Sequence, residues 1–319
     1  MNDITPTMQA ISQDELGGPE VLTSVTAPRP APGIGEILIR VHAAGVNPVD
    51  AMNRQAGVFI GQPPFTLGWD VSGTVEAVGP GVTVHQAGDE VFGMLPFPHG
   101  HGGYAEFALA PARAFVPKPE ELTHVQAAAL PMAGLTAWQA LVETAGIGEG
   151  SRVLINGAAG GVGHLAVQIA KARGAYVIAL AAGEKADFVR SLGADEVIDY
   201  TTTDLADTED ARVPHDLDAV LESVGGGYPA KVVPLIKPGG TLVSTLPPSL
   251  APAAPDAVAR GVRLAGLFVE ADRLGMTALA ELAADGLLVP TVGATFPLAD
   301  AATAHAKKTG YGKTVLTAV

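Results

Sequence analysis

The chain has no cysteine among its 319 residues, and aromatic residues make up only 5% of it. Without cysteine it can form no disulfide, no thiolate metal site and no thiol nucleophile. Positive charge is also scarce, since 33 acidic side chains outnumber 19 lysines and arginines and give a net charge of -14. Such a chain repels phosphate backbones and anionic lipid surfaces, so we expect neither nucleic acid nor a membrane as a partner.

Long apolar runs are missing too, because no run reaches the roughly 18 residues that a membrane-spanning helix requires. The first twenty residues, MNDITPTMQAISQDELGGPE, contain acidic side chains and no basic region before an apolar stretch, which is not typical of a secretory signal. We therefore expect a cytoplasmic globular protein, and its length is enough for two domains.

Histidines offer little for a metal site. Of the eight histidines, the close pair is His99 and His101 in FPHGHGG, a loop rich in glycine and proline. Such a loop is more often solvated or turned toward a substrate than a pair of metal ligands. The sequence therefore predicts no metal site.

The first third of the chain consists of short apolar segments that are interrupted by glycine and proline, without a long helical period. This spacing predicts a β-rich, barrel-like domain. The segments are GEILIRVHAAGV, DVSGTVEAVG, DEVFGML and YAEFALAP.

The pattern changes at THVQAAALPMAGLTAWQALVETAG to a helix and then to alternating strands and helices, which is typical of a parallel α/β domain. The segment Val162 to Arg173 is predicted as a helix, as are EKADFVRSL, KVVPLI and MTALAELAADGLL. The predicted strands are RVLIN, AYVIALA, EVIDY, LDAVLESVG, GTLVST and, at the sheet edge, VRLAGLFV. A closing strand, KTVLTAV, is predicted to return to the first domain.

A glycine-rich loop lies between the predicted strand RVLIN and the helix that follows it. Ala158, Gly160 and Gly163 occupy the three positions of the dinucleotide fingerprint G-x-G-x-x-G, with Gly161 and Val162 between the last two. Gly160 lets the backbone approach a pyrophosphate, and Gly163 lets the helix pack on the strand. The free N–H groups at the helix start would bind the phosphates, so the loop predicts a dinucleotide site.

The end of the second predicted strand indicates which nicotinamide cofactor is bound. An NAD-specific site has an acidic residue there, whereas this chain has Ala181 and Ala182. Lys185 and Tyr200 offer a cation and a hydroxyl to a 2′-phosphate, which favours NADPH. Glu184 is the complication, because it could accept a ribose hydroxyl or point outward from the loop. The weaker alternative for Lys185 is an ordinary exposed lysine at a helix start.

Five motifs, AGVNPVD, AAALPMAGLTAWQAL, NGAAGGVGHLAVQIAKARGA, SLGADEVIDY and GKTVLT, occur in this order over nearly the whole chain. In them the sequence resembles the medium-chain dehydrogenase/reductase superfamily, and within it the zinc-free quinone oxidoreductase branch that includes zeta-crystallin. The resemblance implies an α/β protein with a GroES-like β-rich catalytic domain at residues 1–125 and 267–319. A doubly wound parallel Rossmann domain is implied at residues 126–266.

Two positions separate this chain from the zinc-dependent alcohol dehydrogenases of that superfamily. Those enzymes have a cysteine ligand where this sequence has Asn47, and a Gly-His-Glu triplet where it has Gly68, Trp69 and Asp70. Because both kinds of ligand are replaced, we expect no catalytic metal and no Lewis-acid oxidation of alcohols.

The resemblance also implies a set of cofactor contacts. Asn47 would lie beside the nicotinamide, and Lys185 and Tyr200 would hold the 2′-phosphate. The further contacts that it implies are Thr136 at a phosphate or ribose, Ser223 and Gly225 at the nicotinamide-side ribose, the backbone of Phe268 and Val269 at the carboxamide, and Lys313 from the returning segment. Two positions depart from relatives: Ala182 replaces a common serine or threonine, and Met52 replaces a tyrosine of the substrate pocket.

A quinone or an α,β-unsaturated carbonyl is already electrophilic, so its reduction, by a hydride or by electrons from NADPH, needs positioning and stabilisation of the developing negative oxygen. Tyr104 is a candidate hydrogen-bond or proton donor, although a structural role is the stronger interpretation, and water is the simplest proton source. Asp50 and Arg54 are predicted to support the Asn47 loop through a salt bridge. The candidate walls of the substrate pocket, expected between the domains, could equally be core residues: Met52, Phe65, Trp69, Met94, Phe97, Met132 and Phe268.

Other enzyme classes lack their motifs here. No tyrosine is followed by lysine at the Tyr-x-x-x-Lys spacing, and neither a G-x-S-x-G elbow nor a P-loop lysine motif occurs. A non-catalytic NADPH-binding protein of the same fold stays an alternative, and the acceptor could be a quinone, an alkenal, a cyclic enone or an enoyl compound. The apolar edge segment from Gly261 to Val269 would aggregate unless covered, and the resemblance implies a homodimer that joins two such edges.

Overall fold

The computed structural model describes residues 6–307 and 309–318, and the chain divides into two units. The first unit consists of Met1–Leu135, Glu270–Gly286 and Pro290–Val319, and the second of Thr136–Val269 and Leu287–Val289. The sequence prediction had divided the chain between residues 125 and 126 and between 266 and 267.

Fifteen strands occur in the described residues. In chain order they are β1 (Thr7–Ser12), β2 (Thr23–Pro28), β3 (Glu36–Val46), β4 (Asp70–Val78), β5 (Glu90–Met94), β6 (Phe107–Pro111), β7 (Phe115–Pro117), β8 (Arg152–Asn156), β9 (Tyr176–Ala181), β10 (Glu196–Asp199), β11 (Leu217–Glu222), β12 (Ile236–Ser244), β13 (Arg263–Gly266), β14 (Val292–Pro297) and β15 (Lys313–Thr317).

The same residues form nine α-helices and several shorter turns of helix. The α-helices are α1 (Pro48–Ala56), α2 (His124–Ala128), α3 (Pro131–Trp138), α4 (Gly163–Ala172), α5 (Ala186–Ser191), α6 (Tyr228–Val232), α7 (Ala254–Arg260), α8 (Arg273–Ala284) and α9 (Ala301–Ala306). A π-helical segment, Gln139–Thr144, follows α3, and 3-10 turns occur at Pro19–Val21, Ala112–Ala114, Gly183–Lys185, Val233–Leu235, Pro247–Ala253 and Leu298–Asp300. None of the described helices combines the length and apolar character needed to cross a membrane.

The first unit is built on a sheet in the order β14-β15-β3-β4-β5-β7, with β6 also paired to β3. Neighbouring strands are antiparallel except for the parallel pair β14 and β15. The four predicted segments form β3 to β6, and the closing segment KTVLTAV provides β15 beside β3, as predicted. The chain therefore returns to its first sheet at its end.

Helix α1 was missed, because no helix was expected in the first third of the chain. Asn47 is its N-cap, Pro48 takes the first helical position, and the helix ends at Gly57, whose φ of 57° is in the left-handed region. The buried face of this helix is polar, so apolar spacing does not mark the helix in the sequence, whereas its capping residues do. The helix fixes Asn47 at the end of β3.

The second unit contains a wholly parallel sheet in the order β10-β9-β8-β11-β12-β13. Numbered within the unit, this is the doubly wound order 3-2-1-4-5-6, whose strand order reverses between β8 and β11. Val153, Leu154 and Ile155 of β8 are fully buried, as expected for a central strand that is covered on both faces. The predicted α/β architecture is thus confirmed.

Two elements of the second unit differ from the prediction. The edge strand β13 covers Arg263–Gly266, shorter than the predicted VRLAGLFV. The predicted helix KVVPLI instead begins earlier, at Tyr228, and gives way to a 3-10 turn at Val233–Leu235. Pro234 has no N–H to continue an α-helix, which accounts for the early end.

Candidate functional site

The glycine loop of the second unit connects β8 to α4 at the point where the strand order reverses. A Cβ atom at Gly163 would lie 2.2 Å from the carbonyl oxygen of Gly157, and Gly157 itself has a φ of +70°. The three atoms nearest to a Cβ at Gly163 all belong to the backbone, so a larger residue there would separate the helix from the strand. The loop is therefore shaped for close approach of helix and strand, as the fingerprint predicts.

The start of α4 fits a dinucleotide cofactor. Gly160 is exposed, Gly161 and Val162 are half-buried, and Ala158 is buried with its N–H donated to the carbonyl of Leu180 at 3.1 Å. Because the first N–H groups of a helix have no acceptor within it, they can bind the oxygens of a pyrophosphate. These residues could hold the phosphates of a nicotinamide cofactor, which supplies a hydride when it is bound.

A buried carboxylate organises the neighbouring loop, and sequence reasoning missed it. Glu222, at the end of β11, is fully buried and accepts hydrogen bonds from Asn156 Nδ2 at 2.9 Å, from the N–H of Val224 at 2.7 Å and from the N–H of Gly225 at 2.9 Å. Ser223 Oγ donates to the carbonyl of Asn156 at 3.1 Å. The predicted ribose contacts, Ser223 and Gly225, are thus held beside the end of β8.

The end of β9 carries a negative charge that sequence reasoning also missed. A Cβ at Gly183 would lie 2.6 Å from Asp199 Oδ2, so this carboxylate of the parallel neighbour β10 lies against the loop after β9. Hydrogen bonds from Thr201 lower the pKa of Asp199. Lys185 ends a 3-10 turn in the same loop and is half-buried. Besides Glu184, an acidic group of the neighbouring strand therefore lies against the loop that follows Ala181 and Ala182.

Tyr200 lines a polar cavity of about 340 Å³ in the second unit. The cation in its lining is Lys231 of α6, which pairs with Asp204 at 2.9 Å, and Lys185 is not part of that lining. The lining of this cavity thus brings Tyr200 together with Lys231, a residue that the sequence did not indicate. Thr136 and Val269 are buried and Phe268 is exposed, and their cofactor roles stay predictions.

In the first unit, Asn47 is linked to an ion pair that comes from two distant parts of the sequence. Its Nδ2 donates to Asp70 Oδ2 at 2.9 Å, and its Oδ1 accepts from Lys313 Nζ. Lys313 Nζ lies 3.4 Å from Asp70 Oδ2, and Asp70 Oδ1 accepts a hydrogen bond from the N–H of Met132 at 2.7 Å. All three side chains are buried. We predicted a cofactor contact for Lys313, and its contacts in the structure are Asn47 and Asp70.

These residues do not fit a zinc site. The position of the cysteine ligand holds an amide that is hydrogen-bonded at both ends, and the position of the histidine holds the buried indole of Trp69. The position of the glutamate holds Asp70, whose carboxylate is paired with the ammonium group of Lys313. Across residues 6–307 and 309–318, no group of three or more His, Cys, Asp or Glu side chains could hold a metal ion. No step of the chemistry below uses a metal.

The predicted salt bridge between Asp50 and Arg54 is wrong for the described residues. Asp50 is fully buried and accepts the N–H of Asn47 at 2.7 Å and that of Gly68 at 3.0 Å. Arg54 instead donates to the carbonyl of Gly17 at 3.2 Å and contacts His305 Nδ1 at 3.1 Å. Within one turn of helix, carboxylate and guanidinium point to different partners. Asp50 still supports the Asn47 loop, but through backbone hydrogen bonds.

Tyr104 lies at the other side of His305. It is fully buried, and its hydroxyl is 3.1 Å from His305 Nε2. Burial, and then the charge of Asp50, raise the pKa of Tyr104 well above its ordinary value. A hydroxyl that is enclosed in this way favours the structural interpretation of Tyr104 over contact with a substrate.

Asp50, Tyr104 and His305 form a cluster, and Asp50 and His305 have strongly shifted pKa values. Burial raises the pKa of Asp50 to about 7, and the charge of Asp70 contributes to the increase. Burial and the nearby Arg54 guanidinium lower the pKa of His305 to about 4. Because Arg54 can only donate, His305 Nδ1 must accept, so the imidazole is neutral with its hydrogen on Nε2.

The candidate walls of the substrate pocket differ in how far they are buried. Phe65, Trp69, Met94 and Met132 are buried, Phe97 is half-buried and Met52 is exposed. The rings of Trp69 and Phe97 are 5.5 Å apart and those of Phe97 and Phe59 4.9 Å, so several predicted walls pack in one aromatic cluster with a ring that was not predicted. The burial of the other walls is what the alternative of core packing predicts, and the exposed Met52 and Phe268 are the exceptions.

The chain is similar to known dehydrogenases and oxidoreductases. Residues 33–120 match a family described as alcohol dehydrogenase GroES-like domain, and residues 192–316 match one described as zinc-binding dehydrogenase. A mitochondrial NAD(P)H oxidoreductase, RTN4IP1, from Mus musculus is 35% identical over 89% of this chain and 82% of its own length. A quinone oxidoreductase from Homo sapiens is 34% identical over 93% of each chain. The solved quinone oxidoreductase from Coxiella burnetii superposes with a TM-score of 0.89 at 34% identity, over 98% of this chain and 100% of that one.

Proposed function

Because the chain belongs to the medium-chain dehydrogenase/reductase superfamily and is similar to its quinone oxidoreductases, we propose that it reduces quinones or α,β-unsaturated carbonyl compounds with NADPH and without a metal. The observation that carries the proposal is the glycine loop before α4, where Gly163 packs helix on strand and leaves N–H groups for a pyrophosphate. The oxidoreductase class follows from the family, whereas the acceptor and the choice of NADPH are our proposal.

The proposed reaction needs little from the protein beyond orientation. When bound, the reduced nicotinamide would supply a hydride to a carbon of the acceptor, and the displaced electron pair would move to the acceptor oxygen. A proton from water would then complete the product: at the α-carbon for a saturated carbonyl compound, or at the oxygen of a quinone, which tautomerises to the hydroquinone. Residues of the first unit would orient the acceptor and stabilise the negative oxygen.

An acceptor panel tests this function. The protein, dialysed against a strong chelator, is mixed with NADPH and one of four acceptors: a quinone, an alkenal, a cyclic enone or an enoyl thioester. We expect loss of NADPH absorbance with at least one of them. Quenching of cofactor fluorescence without turnover of any acceptor would instead identify a non-catalytic NADPH-binding protein.

We expect NADPH to bind more tightly than NADH, because Lys185 offers a charge-assisted contact to a 2′-phosphate. Lys185→Ala should weaken NADPH binding by about 1–3 kcal/mol and leave NADH binding nearly unchanged. Fluorescence titration of both cofactors measures the two dissociation constants.

Lys231→Ala is the matched comparison, since Lys231 is a cation in the cavity that Tyr200 lines. Selective loss of NADPH affinity in this variant, with none in Lys185→Ala, would assign the phosphate contact to Lys231. Equal affinities for the two cofactors, or tighter NADH, would contradict the NADPH proposal and would favour Asp199 as an acceptor for a ribose hydroxyl.

We also propose a homodimer through the edge strand β13, within the predicted segment from Gly261 to Val269. This strand ends the sheet beside β12 and leaves a row of backbone groups for a second copy, and Phe268 just beyond it is exposed. Light scattering at micromolar concentration should give twice the 32.3 kDa mass of one chain. Leu264→Pro should split the dimer, whereas a monomeric wild type, or an intact dimer in the folded variant, would contradict this interface.

A cytoplasmic location stays a prediction.

A further inference from the structure

The carboxamide of Asn47 can take only one orientation in the structure. Lysine can only donate a hydrogen bond and an ionised carboxylate can only accept one. Lys313 Nζ contacts Oδ1 of the amide, and Asp70 Oδ2 lies 2.9 Å from Nδ2. A flip of the amide would place a donor against the ammonium and an acceptor against the carboxylate, so the ion pair fixes the position of the NH₂ group.

This arrangement leaves one hydrogen of the amide without an acceptor. Nδ2 carries two hydrogens, and Asp70 accepts one of them. Among the described residues the other has no acceptor, although Asn47 exposes only 5% of its surface. A donor that is held rigidly and lacks a partner is suited to an oxygen whose negative charge grows during a reaction.

The charge of the ion pair also fits this task. Asp70 is fully buried, and the adjacent ammonium of Lys313 compensates its charge at 3.4 Å. Asp70 is fixed further by the N–H of Met132 at 2.7 Å. Lys313 and Asn47 are 266 positions apart, so this arrangement exists only because β15 pairs with the end of β3. Within the described part of the chain, the side chain of Lys313 thus contacts Asn47 and Asp70, and not the glycine loop before α4.

We propose that Lys313 and Asp70 are positioning residues that orient Asn47, so that its second Nδ2 hydrogen donates to the oxygen of the bound quinone or enone as that oxygen becomes negative. This inference rests on the proposed function. Asn47 touches the acceptor, whereas Lys313 and Asp70 act through Asn47. Water supplies the proton that completes the product, so the amide binds charge and transfers no proton.

Steady-state kinetics with NADPH and the best acceptor of the panel test the proposal. Removal of one oxyanion donor typically lowers kcat by about 100-fold, which we expect for Asn47→Ala. Lys313→Met and Asp70→Asn should each lower kcat by about tenfold or more, with the dissociation constant of NADPH unchanged within about twofold. The double variant Asn47→Ala/Lys313→Met should be no slower than Asn47→Ala alone, because both changes remove the same interaction.

Lys118→Met is the matched control, since Lys118 also pairs with a carboxylate, that of Glu90 at 3.2 Å, within the first unit. It should keep the wild-type kcat, and Lys313→Arg, which keeps the charge, should recover part of the lost rate. Circular dichroism verifies that each variant is folded. A wild-type kcat in Lys313→Met would overturn the proposal. If that wild-type kcat is reached only at saturating NADPH, because the variant binds the cofactor more weakly, Lys313 is instead a cofactor contact.

A measurement without turnover separates this inference from the proposed function. In cofactor-free protein labelled with ¹⁵N-asparagine, the side-chain signals that vanish in Asn47→Ala belong to Asn47. We expect one of its two amide hydrogens to exchange slowly with water in the wild type and quickly in Lys313→Met and Asp70→Asn. Unchanged exchange in both variants would overturn the positioning by the ion pair. A wild type that reduces no acceptor would refute the proposed function, and with it the catalytic use of Asn47.

Discussion

Asp50→Asn and His305→Gln should change the pH dependence of the free energy of unfolding in opposite directions. Asp50 has a pKa of about 7 in the folded chain, above its ordinary value of 3.8. Between these two pH values the folded state binds more protons than the unfolded state, so stability falls as the pH rises. Removing the carboxylate removes this fall.

His305 has the opposite effect. Its pKa is about 4 in the folded chain, below the ordinary value of 6.5. Between these values the unfolded state binds more protons, so stability rises with pH, and the contribution is lost as the pH falls toward 4. His305→Gln should remove a rise of roughly 1.4 kcal/mol per pH unit, or about 3 kcal/mol over the whole window.

Urea unfolding of the wild type and both variants between about pH 4 and 7 measures these slopes as differences from the wild type. Each variant serves as the control for the other, because the two predicted changes in slope have opposite signs. If both variants change the slope in the same direction, or if neither changes it, the protonation states assigned to the cluster of Asp50, Tyr104 and His305 are wrong.

Glu222→Ala should strongly lower the free energy of unfolding. It should also weaken cofactor binding, because the loop that follows β11 loses the acceptor that holds it. The substitution leaves Asn156 Nδ2 and the N–H groups of Val224 and Gly225 without their buried acceptor. At about 1–3 kcal/mol for each buried group that loses its partner, the free energy of unfolding should fall by at least about 3 kcal/mol. Urea unfolding measures this loss, and titration with NADPH measures the loss of affinity.

Glu209→Ala is the matched control, since Glu209 is an exposed glutamate of the second unit. Surface substitutions of this kind usually change stability by less than about 0.5 kcal/mol. Glu222→Gln keeps the size of the side chain but turns one acceptor into a donor, so it should lie between the wild type and Glu222→Ala. A loss in Glu222→Ala no larger than that in Glu209→Ala would show that the buried carboxylate does not hold the loop.

The parallel sheet of the second unit could be predicted well because its signals are local. Each buried strand is a short apolar run, and the glycine loop lies between a strand and a helix, where the fingerprint requires it. Helix α1 could have been found from similar local signals, since Asn47, Pro48 and Asp50 form a recognisable capping pattern. The search for apolar spacing missed it because the residues that α1 buries are polar.

Contacts between distant segments could not be predicted in this way. The position of Asp199 beside the loop after β9 depends on the parallel register of β9 and β10, which no local pattern specifies. The pairing of Lys313 with Asn47 requires β15 to return to β3. Burial likewise favours the structural interpretation of Tyr104, and only the folded chain shows that its hydroxyl is enclosed with His305.

Transfer of deuterium from NADPH tests the central claim of a hydride-donating reductase most directly. NADPH labelled with deuterium at C4 of the nicotinamide, in either of its two stereochemical forms, is incubated with the protein and a cyclic enone, and mass spectrometry locates the label in the product. We predict that one of the two forms delivers a single deuterium to the β-carbon of the saturated ketone. Consumption of NADPH without deuterium at that carbon, or no consumption with any acceptor, would contradict hydride transfer as the function of this chain.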